Sequence, residues 1–145
     1  MQSEREENRT QRHDRGFSLI ELMVVLIILG LIIGIVGPPV WDRLTKGKIY
    51  AAKAQIQQLE ASLMTYTTDM GRLPTTEEGL KALVESTDGS DLWAGPYLNK
   101  RLVPRDPWQK DYVYVYPGTH GNEFDLYSKG PDGQDGTADD ITNWN

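Results

Sequence analysis

Residues 17–40 read FSLIELMVVLIILGLIIGIVGPPV, and Glu21 is the single charge among them. A bilayer core about 30 Å thick takes roughly 20 helical residues, so this run is long enough to span one. Residues 1–16, before it, are polar, with Arg5, Arg9, Arg12 and Arg15 set against Glu4, Glu6, Glu7 and Asp14. The arginines favour keeping this end in the cytoplasm while the rest of the chain is translocated. A secretory signal ends its apolar run in a small-x-small cleavage site. Here the run ends in Gly37-Pro38-Pro39-Val40-Trp41, so the residues alone predict an uncleaved single-span anchor. Glu21 resists that plain reading: a carboxylate inside a membrane costs free energy unless it lies near the interface or is paired.

The apolar stripe then continues into a polar context. Ile49, Ala52, Ile56, Leu59, Leu63 and Tyr66 recur at helical spacing, with Lys53, Gln57, Gln58 and Glu60 on the other face. This predicts an amphipathic helix that packs on the domain following it. Met70-Gly71 closes it, with Gly71 as the C-cap. Pro38 and Pro39 are expected to interrupt the helix, since each removes a donor and crowds the preceding turn. Gly30, Gly34 and Gly37 lower helix propensity nearby, so the stretch from about residue 30 to 39 is the place to bend.

The chain has 145 residues, which leaves room for one modest domain beyond the anchor. Pro74-Thr75-Thr76-Glu77-Glu78 reads as a helix start, with Thr75 and Glu78 at capping-box spacing and Leu80, Leu83 and Val84 as a short apolar face. Trp93 and Tyr97 lie in a loop-like stretch and read as core plugs. Residues 112–116 (YVYVY) alternate between turn signals and predict a strand. Residues 124–128 (FDLYS) predict a second, joined to it by residues 117–123. The expected fold is α+β, a long N-terminal helix laid on a small antiparallel sheet.

The charge balance narrows the function. Lys and Arg number 15 against 21 Asp and Glu, a formal net charge of −6, where a nucleic-acid binder usually carries a basic face. There is no cysteine, which excludes a disulfide scaffold, a thiolate metal site and a cysteine nucleophile. His13 and His120 are the two histidines, and no Ser/His/Asp set or phosphate-cradling glycine loop is legible. Asp106 and Asp111 are candidates for an acid/base pair, though paired acids on loops are usually solvated. No catalysis is expected.

Residues 129–141 read KGPDGQDGTADDI. Asp132, Asp135, Asp139 and Asp140 repel one another there with no base between them. Two readings stand on the residues alone: a solvated acidic loop, or a loop that wraps a hard divalent cation with oxygen ligands. Gly130, Gly133 and Gly136 would let the backbone turn its carbonyls inward. The spacing is not that of an EF-hand.

The run Arg15-Gly16-Phe17-Ser18-Leu19-Ile20-Glu21 resembles the prepilin motif of type IV pilins and type II secretion pseudopilins. LPTTEEGLKALV, RDPW followed by YVYVYPG, and FDLYSKGPDG ending in DDITNW together resemble the major (core) pseudopilin family of type II secretion, the general secretion pathway protein G family. The resemblance runs from Gly16 to Trp144. It implies a type IV pilin-like fold with residues 1–16 as a leader peptide, residues 17–40 as the membrane and polymerisation helix, and residues 41–145 as a periplasmic head. That head holds the helix to about residue 70, then the sheet and a calcium loop over 106–145. A prepilin peptidase would cut between Gly16 and Phe17 and methylate the new amine. Glu21 would pair with that amine on a neighbouring subunit, an ion pair that contributes specificity more than stability.

The resemblance also implies a structural Ca²⁺ held by the side chains of Asp132, Asp139 and Asp140 and the carbonyl of Lys129, with Asp135 left out of the set. The implied role is a subunit of the periplasmic pseudopilus, anchored in the bacterial inner membrane by one span and driving folded proteins across the outer membrane. Its implied partners are further copies of itself, the minor pseudopilins and the inner-membrane assembly platform. A type IV pilus subunit for adhesion or motility is the alternative. Pilins of that kind usually carry a C-terminal cysteine pair, which this chain lacks.

Overall fold

The computed structural model describes residues 17–144, apart from the side chains of residues 37–41. The chain divides into two compact units between Trp41 and Asp42. The described part of the first unit is helical from Leu19, and residues 17–36 are exposed. The second carries the hydrophobic core.

Helix α1 spans Leu19–Met70. The helix runs through Pro38 and Pro39, so the expected interruption does not occur. Two adjacent prolines remove only two consecutive donors from the ladder, and the flanking turns still propagate. At the far end Gly71, at φ +69°, donates its N–H to Thr67 O at 2.8 Å and closes the helix where expected. The stripe is also as read. Ala52, Ile56, Leu59, Leu63 and Tyr66 are buried, and Ile49 packs against them at the edge.

What lies on that stripe is small. Thr75 and Glu78 form a reciprocal capping box: Thr75 N–H donates to Glu78 Oε2 at 2.8 Å, and Glu78 N–H to Thr75 Oγ1 at 3.2 Å. The element that follows is a five-residue 3-10 helix, Gly79–Leu83, not the α-helix the capping signature suggests. Gly79 sits at φ +56° immediately after the box, so the α geometry cannot propagate from it. Leu80, Ala82 and Leu83 are nonetheless buried. Trp93 and Tyr97 plug the core beside them, Trp93 Nε1 donating to Ala82 O at 2.8 Å and the two rings meeting edge to face.

Strands β1 (Val113–Val115) and β2 (Asp125–Ser128) pair antiparallel with Tyr114 opposite Leu126. A third strand, β3 (Ile141–Thr142), pairs antiparallel with β2 on its other side. The sheet order is β1-β2-β3. β3 has no counterpart in the sequence reading. The acidic segment is therefore the connection between β2 and β3, anchored at both ends in the sheet.

Candidate functional site

Two regions carry chemistry. The first is the start of α1. Phe17 and Ser18 precede the helix, and the first helical N–H bond runs from Leu22 to Ser18 O at 3.1 Å. Glu21 lies in the first turn, where the positive end of the helix dipole favours a carboxylate. All residues of Leu19–Val36 are exposed, and the segment is long and apolar enough to cross a bilayer. Folding this chain alone leaves every one of these residues exposed. A continuous apolar surface of this kind is one that lipid or another protein covers. The cleavage position Gly16 and the leader, residues 1–16, lie outside the described residues.

The second region is the β2–β3 connection. The hydroxyl of Thr137 lies 2.6 Å from Asp139 Oδ1 and 3.4 Å from each of Asp132 Oδ1, Asp140 Oδ1 and Gln134 O. One hydroxyl carries one proton, so four acceptors cannot all be satisfied by it. Backbone amides hold the carboxylates in place: Asp132 N–H donates to Asp139 Oδ2 at 3.2 Å, Gln134 N–H to Asp132 Oδ1 at 2.8 Å, and Gly136 N–H to Asp140 Oδ2 at 2.9 Å. The Thr137 hydroxyl holds the carboxyl of Asp139 below its ordinary range. Among the described residues no three Asp, Glu or His side chains form a ready metal cage; the three aspartates converge on a hydroxyl instead.

Of the four residues expected to hold a cation, Asp132, Asp139 and Asp140 are thus brought together. The Lys129 carbonyl accepts the N–H of Gly133 at 3.1 Å and so belongs to the same turn. Asp135 is engaged elsewhere, accepting from Tyr127 Oη at 2.8 Å and lying 3.8 Å from Lys129 Nζ. Thr137 and the Gln134 carbonyl were not anticipated. A hydroxyl among acids is the signal that could have pointed to Thr137. The donor set is entirely oxygen, half exposed and partly charged, which fits a hard divalent cation of flexible coordination.

The acid/base pair considered for Asp106 and Asp111 does not form, and Asp106 is not solvated. It is buried, accepting from Trp108 N–H at 2.9 Å and Lys110 N–H at 2.8 Å on Oδ1. Asp111 is exposed and lies 3.6 Å from Arg105. His120 lies with Nδ1 2.9 Å from Asp125 Oδ2 and 3.2 Å from Thr119 Oγ1, its ring stacked on Trp144 at 4.0 Å. This Thr/His/Asp set is not a catalytic relay. Both partners share the same ring nitrogen, whereas a relay needs the nucleophile and the orienting acid on opposite nitrogens.

The chain matches the profile described as type II secretion system (T2SS), protein G, over residues 39–144, and that of the prokaryotic N-terminal methylation motif over residues 11–37. It is 43% identical over 140 residues to a type II secretion system core protein G of Escherichia coli (strain K12), covering 94% of each chain. It is also 43% identical to the protein of that name from Pseudomonas aeruginosa, over 92% of this chain and 97% of the relative. Among solved structures it resembles the major pseudopilin of the type 2 secretion system of enterohaemorrhagic Escherichia coli. The TM-score is 0.61 at 35% identity, over 72% of this chain and 92% of the other.

Proposed function

This chain belongs to the protein G family of type II secretion and is a subunit of the pseudopilus, and from that premise we propose how its residues do the work. The prepilin peptidase cuts between Gly16 and Phe17 and the new amine of Phe17 is methylated. The methylation-motif match over residues 11–37 supports that reading. Inserted by one span in the bacterial inner membrane with its head in the periplasm, the chain polymerises by moving its apolar helix from lipid into a bundle of like helices. Minor pseudopilins and the inner-membrane assembly platform are its partners in that step.

One observation carries this proposal: a helix whose residues Leu19–Val36 are all exposed, with Glu21 as their one charge. Shape packing among apolar helices has little axial register of its own. A carboxylate leaving lipid headgroups for a filament core must find a cation. The amine of Phe17 on an adjacent copy supplies it and sets the stagger. The contribution of the chain is shape and cohesion, without catalysis.

Ca²⁺ is the second part of the proposal. Asp132, Asp139 and Asp140, with the Lys129 and Gln134 carbonyls and the Thr137 hydroxyl, would hold it. Bound there, it neutralises the carboxylates and ties the β2–β3 connection to the sheet.

The test of the assembly reading is Glu21→Leu in cells lacking the wild-type gene. Membrane insertion is expected to be unchanged, with filaments absent and exoproteins accumulating in the periplasm. Normal filaments from this variant would overturn it. An unchanged secretome with lost twitching or attachment would assign the same fold to a pilus.

A further inference from the structure

The acidic connection already has a cation beside it, supplied from another part of the head. A Cβ built on Gly133 would lie 1.6 Å from Lys110 Nζ, 2.6 Å from its Cε and 3.1 Å from its Cδ. The lysine side chain therefore lies directly on the Gly133 backbone, between Asp132 and Gln134 in sequence. Gly133 is at φ +70°, a conformation that favours glycine, and any side chain there would have to displace the lysine tip.

Lys110 is not a loose surface lysine. Its own N–H donates to Asp106 Oδ1 at 2.8 Å and its carbonyl accepts Asp106 N–H at 2.8 Å. The other oxygen of Asp106 accepts from Ser128 Oγ at 2.5 Å, and Ser128 Oγ accepts the N–H of Gly130 at 3.2 Å. A buried aspartate thus links the turn that presents Lys110 to the first residues of the acidic connection. Among the described residues the ammonium makes no direct ion pair; its close approach is to the Gly133 backbone, next to Asp132 in the chain. With Lys129 near Asp135 at 3.8 Å, two lysines face four aspartates, which leaves the charge that one divalent cation cancels.

We infer that Lys110 is a resident counter-cation of the β2–β3 connection, which holds that loop folded without metal and weakens its binding of Ca²⁺. The inference rests on the calcium reading above. A single positive charge near a divalent ion at a protein surface changes affinity about three- to tenfold. Two consequences separate this role from simple packing. Removing the charge tightens calcium binding while lowering stability without calcium, and the stability deficit closes when calcium saturates the site.

The experiment uses the full chain in detergent, with Lys110→Met (stem kept, charge removed) and Lys110→Arg (charge kept). Calcium affinity is measured by titration calorimetry, and the unfolding midpoint in chelator and in saturating calcium. The expected result is a three- to tenfold tighter Kd for Lys110→Met, wild-type affinity for Lys110→Arg, and a lower midpoint for Lys110→Met in chelator alone. A Lys110→Met protein that folds only with calcium also supports the inference. Equal affinities, or a deficit that persists in saturating calcium, overturn it while leaving the calcium site standing. Binding by Lys110→Met but not by wild type refutes calcium as the natural ligand and supports Lys110 as its substitute. If neither binds, both fall.

Discussion

Ser128 donates its hydroxyl to Asp106 Oδ2 at 2.5 Å, and both side chains are sealed from solvent. This pair joins β2 to the loop that precedes β1, and Asp106 also caps two backbone amides in that loop. Ser128→Ala leaves one carboxylate oxygen and the Gly130 N–H without partners. Breaking a hydrogen bond to a buried charged group costs about 2 kcal/mol, or about 10 °C in midpoint for a head of this size. Asp106→Ala, which abandons three donors at once, is expected to cost more. Thermal melts of the two variants should rank in that order.

The capping box supports a wider network. Arg72 donates to Glu78 at 2.7 and 2.9 Å and to Asp88 at 2.9 Å, and Thr87 donates to Glu78 at 2.8 Å. Replacing Glu78 by Gln keeps the shape and removes the charge that Arg72 reads. The expected loss is about 1 kcal/mol, at the scale of one cap. Arg72 is more than a third exposed, so its screened ion pairs add little beyond that. A melt at neutral pH measures the loss directly.

Acid should loosen the head in a defined window. The Arg72 guanidinium holds the Glu78 carboxyl at about 2, from an ordinary 4.5. Burial pushes the Asp125 carboxyl up, but the amide and hydroxyl of Thr119 together with His120 outweigh it and leave that group also at about 2. Both are depressed in the folded state. Their stabilisation is present above the ordinary carboxylate range and is lost as pH falls toward 2. The midpoint should drop between about pH 4.5 and pH 2, and Glu78→Gln should flatten the upper part of that slope. A midpoint independent of pH across this window contradicts the assignment.

Much of this was legible because it repeats. The stripe from Ile49 to Tyr66 keeps helical period, and the YVYVY alternation keeps strand period, so each names its buried face without tertiary knowledge. β3 escaped because two residues, Ile141 and Thr142, carry no period at all; their strand exists only because β2 offers an open edge. The short 3-10 helix escaped because one dihedral at Gly79 overrides a correct capping signature. In the acidic connection the aspartates stood out by charge, whereas Thr137 and Lys110 did not. The first is an ordinary hydroxyl, and the second lies on a different loop and arrives only through the buried contact of Asp106 with Ser128.

Calcium should stabilise the head through the β2–β3 connection. Asp132, Asp139 and Asp140 converge on the single hydroxyl of Thr137, which cannot satisfy all of them, and their like charges face each other. A ligand that binds only the folded state stabilises it by mass action. For a site with Kd about 10⁻⁴ M, a hundredfold excess of ion adds about 2.7 kcal/mol. That corresponds to about 10 °C for a domain of this size. The full chain in detergent should therefore melt higher in about 10 mM calcium than in chelator. Asp139→Asn, which removes a charge at the centre of the set, should lose most of the difference. An identical midpoint with calcium and with chelator at these concentrations would remove the ion from any structural role, while the sheet, the helix and the family assignment would be untouched.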